Sequence, residues 1–314
     1  MPSIDNPEFV PVDGAQSWIT YSEPVIAVEY QGEARAYPLQ VLIWHEIVND
    51  RIQGKPILVT FCPLCYSAIV FDRRVDGEVI AFGVSGFLRH SDMIMYDRKT
   101  ESLWQQFTGK ALIGDYVGTR LNQINSQIIS FAQFRNSYPN GKVLSRNTGH
   151  DRPYGNNPYA GYDDINNTPF VDTDTEGLPP MEKVIGVRVG DATKAYPYSI
   201  TQKQKIIHDT VTDTSIVVFH INGAQSALDA AQLAESRVDG STGVYKRTVD
   251  GKVLTFEMQA GQIVDIQTNS RWSITGKAVE GSLKGKQLQP VQAGDYFAFA
   301  WMVFWPETEL YSMK

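Results

Sequence analysis

Cysteine is almost absent from the chain: 314 residues contain two, Cys62 and Cys65. So sparse a supply excludes a disulfide framework between distant elements, and a bridge within Cys62-Pro63-Leu64-Cys65 would close too short a loop to stabilise the chain much. Chemistry is the better reason for the pair. Long apolar runs are also missing; none reaches the roughly 18 residues that a membrane helix needs, so no membrane span is expected. Positive charge is in deficit, 28 Lys and Arg against 35 Asp and Glu, which argues against a phosphate-neutralising surface and a nucleic-acid partner. P-loops, dinucleotide fingerprints and Gly-x-Ser-x-Gly elbows do not occur, so no nucleotide cofactor is expected. The opening Met1-Pro2-Ser3-Ile4-Asp5-Asn6-Pro7 has neither the basic nor the apolar region of an export signal, a pattern that a processed chain would share. What is present, 42% hydrophobic and 11% aromatic residues without low-complexity tracts, suffices for one large core or two ordinary ones.

The chain also resembles itself. Glu23-Pro24-Val25-Ile26-Ala27-Val28 returns as Glu182-Lys183-Val184-Ile185-Gly186-Val187, and Ala36-Tyr37-Pro38 as Ala195-Tyr196-Pro197. Ser67-Ala68 meets Ser226-Ala227; Asp76-Gly77 meets Asp250-Gly251. Asp97, Trp104 and Gly109-Lys110-Ala111 recur as Asp265, Trp272 and Gly276-Lys277-Ala278. Matches that stay in order predict two diverged copies of one unit. The expected fold is α+β, mainly antiparallel β, with two pseudo-equivalent β-rich copies from an internal duplication, each with short helices. Residues 1–146 form the first unit and bear the cysteine site. Residues 147–181 form a structured connector rich in Gly, Tyr and Asp, and 182–314 a second, degenerate unit.

Within the first unit, Val25–Tyr30 and Ala34–Tyr37 flank Gln31-Gly32 as a hairpin. Leu39, Leu42, Ile43 and Ile47 fall at helical spacing across 39–48. Lys55–Phe61 is a β-branched buried strand. Ala68–Asp72 and Val79–Phe82 are expected to pair around Asp76-Gly77, and Met93–Asp97 with Ser102–Phe107. Phe131–Ser137 reads as a helix stopped by Pro139. The tyrosines of the connector are anchors that a plain linker would lack, which implies a segment packed onto the protein.

Cys62-Pro63-Leu64-Cys65 therefore lies between two strands, not before a helix whose N-terminus could stabilise a thiolate. A Cys-Pro-x-Cys turn in that setting looks like half of a zinc-ribbon knuckle, with backbone N–H groups favouring the thiolate. The second unit offers no matching cysteines, so further ligands must be histidine, methionine or carboxylate. His45, on the helix before the cysteine strand, is the best placed. His90 and Met95 follow, although a surface histidine and a core methionine are the plainer readings of those two. Two thiolates with an imidazole and a thioether favour copper before zinc. The leading expectation is thus a Cys/His metal-binding protein of redox or metal-handling type, with ligands Cys62, Cys65, His45, Met95 and His90. Cys62 and Cys65 carry any catalysis, making an oxidoreductase if the protein is an enzyme. A metal-free dithiol–disulfide oxidoreductase acting on a thiol or other small-molecule substrate is the alternative. A non-catalytic β-rich ligand-binding module is the third.

Several segments together resemble the DUF3179 family: Ile4-Asp5-Asn6-Pro7, Trp44-His45-Glu46-Ile47-Val48-Asn49-Asp50, Cys62-Pro63-Leu64-Cys65 with Ser67–Asp72, Ser91-Asp92, Met95-Tyr96-Asp97-Arg98, Tyr159-Ala160-Gly161-Tyr162 and Leu178-Pro179-Pro180-Met181. The resemblance spans nearly the whole chain, and the family is named for having no established function. Some relatives are labelled selenoproteins, which implies redox or metal chemistry at the cysteine positions. Relatives often carry export or lipoprotein signals, which implies a periplasmic or extracellular place. Tyr66 and His90 depart from the family pattern, which often has Gly or Asn at the first position and Asn at the second.

Overall fold

The computed structural model describes residues 1–312 and is mainly antiparallel β, with a few short helices. In the first half, Gln31 and Gly32 both take positive φ (49° and 82°), the turn geometry whose twist matches a two-residue hairpin. It joins Pro24–Tyr30 to Glu33–Pro38 in full register from Val25–Pro38 to Tyr30–Glu33. Phe9–Pro11, Lys142–Leu144 and Gln127–Ser130 complete a five-stranded sheet, in which only the Lys142–Leu144 pairing with Glu33–Pro38 is parallel.

The helix spans Leu39–His45, shorter than the apolar spacing predicts. It stops because Glu46 adopts a left-handed conformation (φ 58°), its N–H donating to Leu42 O, a conformation in which glycine is the usual residue. Two helical turns are not stable alone. Burial of Leu39, Val41, Leu42 and Ile43 contributes roughly 6–12 kcal/mol gross at about 1.5–3 kcal/mol per side chain. The left-handed step sends the chain directly into Ile47–Ile52, which pairs with Lys55–Cys62. That strand pairs in turn with Ser67–Asp72, and Asn122–Ile124 closes this sheet. A third sheet orders Ala111–Ile113, Leu103–Gln105, Asp92–Asp97 and Phe82–Arg89. The Asp76-Gly77 turn forms as expected, but its hairpin is only Arg74–Val75 with Glu78–Val79. Ser67–Asp72 instead spends its hydrogen bonds on its neighbours in the central sheet.

The second half runs through a similar order of elements. Trp272 Nε1 donates to Asp265 at 2.9 Å as Trp104 Nε1 does to Asp97 at 3.0 Å. In the first half Cys62 pairs with Ser67, whereas in the second the strand end Ile221 pairs with Ser241 and Ser226 lies outside any strand. Residues 222–240 fill the interval that four residues span in the first half. The largest apolar core draws on both halves, joining Cys62, Cys65, Phe82 and Trp104 with Tyr296, Phe297 and Trp301. The connector forms no strand or helix, and Tyr154, Tyr159 and Tyr162 pack against that core. No helix among the described residues is long and apolar enough to cross a membrane.

Candidate metal centre

Cys62 ends its strand, and Pro63–Cys65 makes a single 3-10 turn, for which the fixed φ of proline suits the first position. Tyr66 follows in the left-handed region (φ 54°, ψ 31°) and returns the chain to the sheet at Ser67. The Arg89–Asp92 hairpin turn brings Asp92 to the same place through His90 and Ser91, both at positive φ (55° and 62°). Ligand atoms of Cys62, Cys65 and Asp92 all lie within 4.8 Å of one another, and all three residues are buried. They could hold a metal ion.

The group is fixed from behind. Asp92 Oδ2 accepts from Gln105 Nε2 at 2.5 Å and from the Phe107 N–H at 2.9 Å. Ser67 Oγ donates to Gln106 Oε1 at 2.9 Å, and Gln106 Nε2 donates to Thr60 Oγ1 at 2.8 Å. Supporting hydrogen bonds of this kind orient ligands and tune their basicity. Both cysteines are free thiols. Burial pushes the Cys62 thiol up, the Asp92 charge adding to it, and pushes Cys65 well up, reinforced by its hydrogen bond with Cys62. The turn therefore does not favour thiolate on its own, contrary to the knuckle expectation: a backbone N–H at Met93 helps Cys62, but desolvation outweighs it. Burial also pushes the Asp92 carboxyl up to about 7. No cationic side chain is among the main influences on the three groups, so a bound cation is what would favour their charged forms.

Glu46 is a neighbour that sequence reasoning passed over. Burial, with the Asp92 charge in the same direction, pushes its carboxyl up to about 7, and no hydrogen bond is among the causes that shift it. The connector covers this region. Tyr162 donates to Leu64 O at 3.2 Å. Burial, then the charges of Glu46 and Cys62, push the Tyr159 phenol up; burial, then Cys65 and Cys62, do so for Tyr162.

The two expected histidine ligands lie elsewhere, and Met95 sits in the apolar core. His45 and His90 are not in the group with Cys62 and Cys65. His45 Nδ1 is 2.7 Å from Pro2 O and Nε2 2.6 Å from Tyr154 Oη. A carbonyl only accepts, so Nδ1 carries the proton and the neutral ring accepts from Tyr154 at Nε2. Burial, which lowers the His45 pKa, agrees with that neutral form. His90 packs edge-on against Phe304. Met95 is fully buried opposite Trp104, within the apolar core. Asp92, the carboxylate that lies beside the two cysteines, stands in the Ser91-Asp92 motif, but nothing in its spacing from Cys65 reveals the meeting; the hairpin register does.

The fold and site thus define a mainly antiparallel β protein with a buried Cys–Cys–Asp group beneath a tyrosine-bearing connector. The chain belongs to the DUF3179 family, described as a protein of unknown function, whose family model matches residues 1–308. No curated protein and no solved structure matches it.

Proposed function

We propose that Cys62, Cys65 and Asp92 bind one divalent cation, zinc before copper, leaving a coordination position open for a small molecule. The observation that carries this reading is the meeting of three buried acidic donors within 4.8 Å, with no cationic side chain of the described residues among their main influences. Burying such groups is costly unless a metal or a proton compensates. The donor set sets the preference. Thioether and imidazole would select copper, whereas two thiolates with a hard carboxylate suit borderline zinc. Three protein ligands and one open position is also the stoichiometry of catalytic zinc, structural sites being closed by four. When bound, the ion supplies Lewis acidity; Gln105, Gln106 and Ser67 hold its ligands in place, and the connector limits water.

Cobalt(II) substitution tests this. Wild-type protein should show a thiolate-to-cobalt charge-transfer band with strong tetrahedral ligand-field absorption. Cys62→Ser should reduce or abolish the band, and His45→Ala should leave it intact. A spectrum insensitive to Cys62→Ser refutes the ligand assignment.

A metal-free dithiol is the second reading, favoured by two free thiols whose sulfurs lie within 4.8 Å of each other. Against it stand their raised pKa and their burial, since exchange needs an accessible thiolate. We also propose that the halves are copies of one unit. The repeated Asp–Trp hydrogen bond and similar element order support this, with metal chemistry kept only in the first copy.

A further inference from the structure

Five buried polar side-chain atoms lack a hydrogen-bond partner among the described residues, and one is a hydroxyl: Ser91 Oγ. Ser91 is 4% exposed and holds φ at +62°. The two-residue hairpin explains the positive φ, since primed turns require it, but Asn-Gly meets that requirement more easily. Serine here accepts backbone strain and leaves a hydroxyl unsatisfied, each of them unfavourable. The residue also adjoins the centre directly: its carbonyl lies 3.9 Å from Cys62 Sγ, and Asp92 is its chain neighbour. Buried unsatisfied groups call for a role.

Resting on the zinc-type centre proposed above, we propose that Ser91 is the ligand-receiving residue of the site, its hydroxyl donating to a neutral oxygen ligand on the open coordination position. The charge inventory selects the class. Two thiolates and a carboxylate outweigh a divalent cation, so the loaded centre is net negative. An anion is therefore disfavoured. A carbonyl, amide or alcohol oxygen takes the metal's Lewis acidity and the Ser91 O–H together without adding charge. The class of substrate is a small neutral carbonyl or hydroxyl compound.

The test uses the full chain loaded with cobalt(II), titrated with acetamide and, separately, with acetate, while the ligand-field spectrum is followed. Acetamide should perturb the wild-type spectrum saturably and at lower concentration than acetate. Ser91→Ala and Ser91→Gly should each weaken acetamide binding by roughly ten-fold or more, the scale of one lost hydrogen bond, with cobalt affinity unchanged. Glycine accommodates the positive φ, so Ser91→Gly removes the hydroxyl without a folding penalty. A merely structural serine would alter stability and leave acetamide affinity alone. Wild-type acetamide affinity in both variants, or acetate binding as readily as acetamide, overturns the proposal while the metal centre stands. A wild-type protein that takes up no cobalt overturns both.

Discussion

Asp92→Asn should stabilise the metal-free protein at alkaline pH and at the same time remove its capacity for metal. Asp92 is fully buried, and burial pushes its carboxyl up to about 7, against about 3.9 in an unfolded chain. The folded form holds this proton more tightly, so the contribution to stability is full below about pH 4. It declines as pH rises through the window from about 4 to about 7 and is lost above it. Three pH units correspond to roughly 4 kcal/mol at 1.36 kcal/mol each. Asparagine is neutral throughout, and its Oδ1 can still accept from Gln105 Nε2 and the Phe107 N–H. Its amide can donate to Ser67 Oγ, which lies 3.5 Å from Asp92 Oδ1. The charge-assisted bonds to the carboxylate are already contained in the value of about 7, so the linkage figure is the net difference from a neutral side chain. The expected net gain is roughly 4 kcal/mol at pH 8 and under about 1 kcal/mol at pH 4.5. Urea unfolding of chelator-treated protein at both pH values measures it as a shift in midpoint at constant slope. Added zinc should then raise the wild-type midpoint and leave the variant's unmoved. A variant less stable than wild type at pH 8, or one that zinc stabilises equally, refutes the reasoning.

His45→Ala should cost about 2–3 kcal/mol by deleting two part-buried hydrogen bonds and leaving the Pro2 carbonyl unpaired, with metal stoichiometry unchanged by elemental analysis. Tyr66→Gly relieves a left-handed residue, worth about 1–2 kcal/mol. It also empties the site of a buried ring packed against Phe61 and Phe297 beneath the Lys183 ammonium, 3.6 Å from the ring centroid. Large-to-small losses of about 3–5 kcal/mol dominate, so thermal or urea unfolding should show a net loss of roughly 2–3 kcal/mol. Asp295, which accepts from Thr242 Oγ1 at 2.7 Å, is pushed up to about 6 by burial. Its contribution to stability falls as pH rises from about 4 to about 6. Asp295→Asn should flatten that part of the stability–pH profile by roughly 2–3 kcal/mol, read from urea midpoints.

Local patterns carried much of the fold. The Gln31-Gly32 hairpin, the Lys55–Cys62 strand and the helix at Phe131–Ser137, with its Ser130–Gln133 capping box, are set by residues within a few positions of one another. The cysteine turn between strands was legible for the same reason. The early helix end at Glu46 was not, because a left-handed glutamate breaks local preference and is held there by the strand it enters. The pairing of Ser67–Asp72 with Lys55–Cys62 is local, across the four-residue turn that carries the cysteines, but Asp76-Gly77 offered a competing hairpin turn that closes only Arg74–Val75 with Glu78–Val79. The site divided along this line: Cys62 and Cys65 announce themselves by spacing, whereas Asp92 reaches them only through the register of the Phe82–Arg89 hairpin. Tyr66 and His90, the departures from the family pattern, both lie at positive φ. Glycine and asparagine are easiest to place there, so the pattern reflects backbone geometry more than ligand chemistry.

The most direct test is metal content, measured by mass spectrometry on untagged protein purified without chelator, alongside a count of free thiols. Near-stoichiometric zinc, lost in both Cys62→Ser and Asp92→Asn and kept in His45→Ala, is the expected result. Metal-free protein that does not take up zinc, with two thiols that oxidise reversibly to a disulfide, would contradict the metal centre and favour the dithiol.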